Sequence, residues 1–121
     1  MKGYRVFIVE DEAITATMFT YLFDSSNKYQ VVGQAGNYAD ALTGIQATNP
    51  TVVLCDIKLA DGGDGINLAE KITVPTLFVT ALNDEATFAR CRTVPSCIGC
   101  IIKPVRFHDI NSLIQSRVEP C

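Results

Sequence analysis

Val52-Val53-Leu54-Cys55-Asp56-Ile57-Lys58-Leu59-Ala60-Asp61-Gly62-Gly63-Asp64-Gly65 is the stretch that decides how this chain folds. Its first four residues are apolar without a break, as expected for a strand covered by helices on both faces. The run ends on an ionisable residue, Asp56, and the two adjacent glycines that follow mark a loop.

Outward from this stretch the same alternation repeats. Short β-rich apolar runs at Arg5 to Val9, Tyr29 to Ala35, Val52 to Cys55, Thr76 to Val79 and Cys97 to Ile102 are separated by longer segments at helical spacing. Such alternation argues for βαβ units and a parallel sheet. In the first helix Ile14, Met18, Tyr21 and Leu22 share one face and are expected to be mostly core, with the start (Ala13, Ile14, Thr15) exposed. Asn37 caps the second helix, whose stripe is Tyr38, Ala41, Leu42 and Ile45, and Asn49-Pro50 closes it. The third helix begins near Gly65 and carries Leu68, Ala69 and Ile72 inward. Asn83 or Asp84 caps the fourth, which runs to about Arg92 with a thin stripe of Phe88 and Ala89. In the last helix Phe107, Ile110, Leu113, Ile114 and Val118 face inward.

The chain has 121 residues, 48% hydrophobic and 19% charged, which is the size and apolar content of one domain spanning residues 1–121. A net charge of -3 leaves no basic footprint for following nucleic-acid phosphates, so no direct nucleic-acid partner is expected. The longest apolar runs fall far short of the roughly 20 residues that span a bilayer. The expectation is a soluble, cytoplasmic protein with no membrane contact. Cysteines stand at 55, 91, 97, 100 and 121, an odd number in a chain that needs no staples, so reduced thiols are expected.

Right-handed crossovers over five units commonly give strand order 2-1-3-4-5, a flavodoxin-like doubly wound five-stranded parallel sheet with helices on both faces. Ligands bind at the C-terminal edge of such sheets. Glu10 and Asp11, Asp56, Thr80 and Lys103 all stand at that edge, and the winding reverses between strands one and three. Each acidic residue alone reads as a helix cap. Together, three close carboxylates repel one another and call for a cation. With oxygen ligands only, and the single histidine (His108) placed on the last helix as a surface residue, magnesium fits and zinc does not. Lys103 adds a point charge and Thr80 a hydroxyl donor. An aspartyl carboxylate in that setting can attack phosphorus, which makes Asp56 the candidate nucleophile.

These residues lie in four strings: IVEDE (8–12), LCDIKLADGGDG (54–65), FVTA (78–81) and IIKP (101–104). In that order, over essentially the whole chain, the sequence resembles response-regulator receiver domains of two-component and phosphorelay signalling. The resemblance implies metal ligation by Glu10, Asp11, Asp56 and the Lys58 backbone carbonyl, with Mg2+ as the ion. It makes Asp56 the phosphoacceptor, Thr80 the switch hydroxyl and Lys103 the family's lysine, with Lys103-Pro104 resembling its cis peptide bond. It implies phosphorylation by a histidine kinase or histidine phosphotransfer protein docking on Ala13, Ile14, Thr15, Pro104 and Val105. A downstream protein partner and a homodimer through helix four, strand five and helix five are further family habits. Two departures stand out: Cys100 occupies the usual Tyr/Phe switch position, and Lys58 and Leu82 line the path of the hydrolytic water, where they are expected to slow dephosphorylation.

Two other readings remain. An aspartate-nucleophile phosphatase uses a similar sheet, but wants an aspartate two residues beyond the nucleophile where Lys58 stands. A pseudo-receiver would bind partners unphosphorylated, which Cys100 keeps open and intact Asp56, Thr80 and Lys103 oppose. Cys97-x-x-Cys100 with Cys91 reads either as a metal or redox cluster or as small packed thiols; a single pair favours packing. The sequence is that of a stand-alone regulator or of a fragment of a longer one, catalysing at most its own phosphorylation and dephosphorylation.

Overall fold

A computed structural model describes residues 3–81 and 84–120. Five strands, β1 (Tyr4–Val9), β2 (Tyr29–Ala35), β3 (Val52–Asp56), β4 (Thr76–Thr80) and β5 (Cys97–Ile102), alternate with helices α1 (Ala13–Asp24), α2 (Tyr38–Thr48), α3 (Gly65–Glu70), α4 (Glu85–Arg92) and α5 (Phe107–Arg117). All pairings are parallel, in the order β2-β1-β3-β4-β5. The expected doubly wound sheet is therefore present.

Strand periodicity divides the core into two layers. Val6 and Ile8, Val52 and Leu54, and Leu77 and Val79 face Phe19 and Phe23 of α1 and Ile110 and Ile114 of α5. The alternate residues Phe7, Val9, Val53, Cys55 and Phe78 face Ala41 and Ile45 of α2, Leu68 of α3 and Cys91 of α4. Covering on both faces is why β3 is apolar at every position up to Asp56.

Helix ends follow their sequence signals. The Asn37 side chain accepts from Asp40 N–H, and Asn49 closes α2 in the left-handed conformation at φ 48°. Asp84 caps α4 by accepting from Thr87 N–H; Asn83, the other expected cap, and Leu82 lie outside the described residues. α3 is short, ending at Glu70, so Ile72 packs from the turn beyond it.

Two helix faces differ from expectation. On α1 the buried residues are Ala16, Phe19 and Phe23; Ile14 is 83% exposed, as expected of the helix start, but Tyr21 is also 70% exposed, with Met18 on the surface and Leu22 half-buried. The helix is apolar around much of its circumference, so spacing alone does not select a face. The choice falls to the aromatic cluster, in which Phe23 meets Tyr29 and Phe107 edge to face. On α4 the buried residues are Thr87 and Cys91, with Phe88 half-buried and Ala89 exposed. The α5 stripe lies as expected, with Ile110, Ile114 and Val118 buried and Phe107 and Leu113 packed against them.

Among the described residues no helix is long and apolar enough to cross a membrane. The α1 assignment makes a sharp stability contrast. Phe19→Ala is expected to lower unfolding stability by about 3–5 kcal/mol, and Tyr21→Ala to change it by no more than about 0.5 kcal/mol, both read from urea denaturation midpoints; comparable losses in the two variants would contradict this facing.

Candidate phosphoacceptor site

The site stands at the C-terminal edge of the sheet where β1 and β3 run side by side, with Val9 paired to Cys55. β1 delivers Glu10 and Asp11, β3 ends on Asp56, and the next two strands end on Thr80 and lead into Lys103. Carboxylate oxygens of Glu10, Asp11 and Asp56 all lie within 4.8 Å of one another. Glu10 and Asp56 are buried and Asp11 is exposed.

One cation holds the two buried carboxylates together. Lys103 Nζ donates to Glu10 Oε1 at 2.7 Å and to Asp56 Oδ2 at 2.9 Å. The second oxygens are satisfied by main chain: Glu12 N–H donates to Glu10 Oε2 at 3.1 Å, and Ile57 N–H to Asp56 Oδ1 at 2.7 Å. Burial pushes the Glu10 carboxyl up to about 7, against the pull of the Lys103 hydrogen bond and with the Asp56 charge adding to the rise. Burial disfavours the Lys103 ammonium, and its bonds to Asp56 and Glu10 more than offset that, leaving its pKa raised.

Thr80 is buried at the end of β4, and its carbonyl accepts from Lys103 N–H at 2.7 Å, which ties the lysine to the strand beside Asp56. The Lys103-Pro104 peptide is cis. Lys58 is exposed and forms an isolated antiparallel bridge with Asp64. The two bonds of that bridge run from Leu59 N–H to Gly63 and from Gly65 N–H to Ile57, so the Lys58 carbonyl is not consumed in it. Cys100 is half-buried against the α2–α3–α4 layer, and Ile14 and Pro104 are exposed. His108 is exposed on α5.

The sequence reading missed Gly65 as a site residue. A Cβ there would lie 2.1 Å from the Asp56 carbonyl oxygen and 2.9 Å from Cys55 Sγ, so only glycine lets α3 start against the end of β3. The loop before it is anchored by Asp64, which caps α3 through Ile66 and Asn67 N–H and pairs with Arg90 at 2.9 Å. The signal was the Asp64-Gly65 pair following the double glycine.

A hard dication fits this donor set. Three carboxylates converge within 4.8 Å of one another and all donors are oxygens.

The response regulator receiver domain profile matches residues 6–115. The chain belongs to the response regulator receiver family. The receiver domain is 31% identical to the positive alginate biosynthesis regulatory protein of Pseudomonas aeruginosa, an alignment covering 96% of this chain and 48% of that one. It is 30% identical to a protein-glutamate methylesterase/protein-glutamine glutaminase of Rhizobium johnstonii, over 83% of this chain and 30% of the relative. The chain thus spans about half or less of the length of these curated relatives. Among solved structures it is similar to the signal receiver domain of a modulated diguanylate cyclase from Desulfovibrio desulfuricans, with TM-score 0.84, 28% identity, and coverage of 95% of this chain and 93% of that one. It is a receiver domain of the kind found in two-component response regulators.

Gly65→Ala is expected to lower stability by about 1–3 kcal/mol through overpacking against the Asp56 backbone, with a matching drop in the thermal unfolding midpoint; an unchanged midpoint would show that the α3 start can move away freely.

Proposed function

We propose that the domain takes a phosphoryl group onto Asp56 from a histidine kinase or histidine phosphotransfer protein and relays that state to a protein partner. The observation that carries this reading is the Lys103 ammonium held between Glu10 and Asp56 at the winding reversal. An Asp56 carboxylate oxygen forms the new O–P bond as the P–N bond to the donor imidazole breaks, and the electron pair leaves with the imidazole. Lys103 already touches Asp56 and stands ready to compensate charge on the incoming phosphoryl oxygens. Thr80, at the end of the adjacent strand, offers a hydroxyl to the same region. Glu10, Asp11, Asp56 and the Lys58 carbonyl would hold Mg2+, which supplies further positive charge to the phosphoryl oxygens.

The α1 correction bears on the donor. Ile14, Met18 and Tyr21 form an exposed apolar strip, and Met18 lines a groove of about 400 Å³ with Thr15, Phe19, Lys103, Pro104 and Val105. Lys103 reaches this groove from the acceptor site, so a donor seated there lies next to Asp56. Lys58 is exposed two residues beyond Asp56, and on this reading its long side chain hinders an attacking water.

Incubation with acetyl phosphate and Mg2+ is expected to add one phosphoryl group by intact mass, abolished in Asp56→Asn and by chelation; turnover of a generic phosphate ester without a labile adduct would support the phosphatase reading instead. Lys58→Ala is expected to shorten the adduct lifetime, and an unchanged or longer lifetime would reject the shielding role. Met18→Asp is expected to slow transfer from a phosphorylated histidine phosphotransfer protein while leaving acetyl phosphate labelling unchanged; equal rates with the protein donor would remove α1 from the docking face.

A further inference from the structure

Three thiols outside the acceptor site share one layer of the core: Cys91 at the end of α4, and Cys97 and Cys100 on β5. Strand residues three apart ordinarily point to opposite faces. Here the register of β5 against β4 shifts between Thr76 and Leu77, which pair with Cys97 and Gly99 and so skip Ile98. That one-residue bulge turns Cys97 and Cys100 to the same side, towards α4, while Ile98 and Ile101 pack with the α1–α5 layer. Cys91 on α4 and Cys97 and Cys100 on β5 pack into that one layer.

Exposure separates the two partners. Cys91 is 1% exposed, whereas Cys100 is half-buried and lines an open groove of about 480 Å³ with Phe88, Ile102 and Leu113. We propose that Cys91 and Cys100 are a modification site, in which a hydroperoxide entering this groove converts the thiol pair to an intramolecular disulfide joining α4 to β5. The Cys100 sulfur attacks the peroxide O–O bond, giving a sulfenic acid and releasing water or an alcohol as the peroxide is reduced. The Cys91 sulfur then attacks the sulfenic sulfur, forming the S–S bond and releasing water. Two thiols lose two electrons and two protons in all.

The order of events follows from exposure, since Cys100 lines the groove and Cys91 is enclosed behind it. Burial raises the pKa of both thiols, Cys91 to about 12. Cys100 is therefore the attacking sulfur and Cys91 the resolving one, and the reaction is slow near neutral pH because both are mostly protonated. Cys55, fully enclosed and also raised by burial, serves as an internal control.

The test uses the folded full chain carrying Cys121→Ser, to prevent coupling through the terminal thiol, treated with hydrogen peroxide, alkylated and mapped by mass spectrometry. The expected product is two hydrogens lighter, with Cys91 joined to Cys100 and Cys55 still free. Cys91→Ser is expected to leave a sulfenic acid on Cys100 that dimedone traps, and Cys100→Ser to leave Cys91 reduced. A Cys97–Cys100 bond, oxidation of Cys100 without engagement of Cys91, or a 91–100 bond formed only in urea would overturn the proposal. Since the readout is a bond and not phosphorylation, it stands apart from the acetyl phosphate result.

Discussion

Two buried carboxylates and one ammonium set the terms for the rest of the molecule. Glu10 and Asp56 come from neighbouring strands, and their side chains are 1% and 10% exposed. Buried carboxylates so near one another repel and lose hydration, and the Lys103 ammonium offsets both penalties by contacting each. Lys103 reaches them from beyond the far side of β4, two strands away from β3 in the sheet. Its main-chain N–H is fixed to Thr80 on the intervening strand. Strand order, strand length and the end of β5 must therefore all be right before this cluster of carboxylates and ammonium exists.

That constraint explains why the site was more legible in the sequence than parts of the fold. Strand ends are punctuated by residue type: an uninterrupted apolar run stopping at Asp56, an acidic pair after Val9, a lysine after Ile102. Parallel pairing then leaves few orders to consider, and the observed β2-β1-β3-β4-β5 brings Glu10, Asp11 and Asp56 together as the spacing required. Caps were legible for the same local reason, as Asn37 and Asp84 show.

Helix facing was not legible where hydrophobicity surrounds the helix. In α1, Ile14, Met18 and Tyr21 compete with Ala16, Phe19 and Phe23, and the outcome depends on long-range packing of Phe23 with Tyr29 and Phe107. No window of local sequence contains that information. Gly65 was hidden differently, because its requirement comes from the backbone of Asp56 passing within contact distance of a missing Cβ, not from any turn of its own.

The β5 bulge belongs to the same class of non-local feature, and it bears on how a change at Asp56 would travel. By skipping Ile98 it keeps Cys100 on the α4 side, a small side chain where a larger one would fill the layer. α4 itself buries only Thr87 and Cys91 and is held at its start by the Asp84 cap. A helix with so little buried apolar surface sits at the low-stability end of the structure. It follows β4 in the chain, and β4 pairs with the strand that ends on Asp56. Residue 100 carries no aromatic ring, and Cys97 and Cys100 of β5 pack in the same layer as Cys91 of α4.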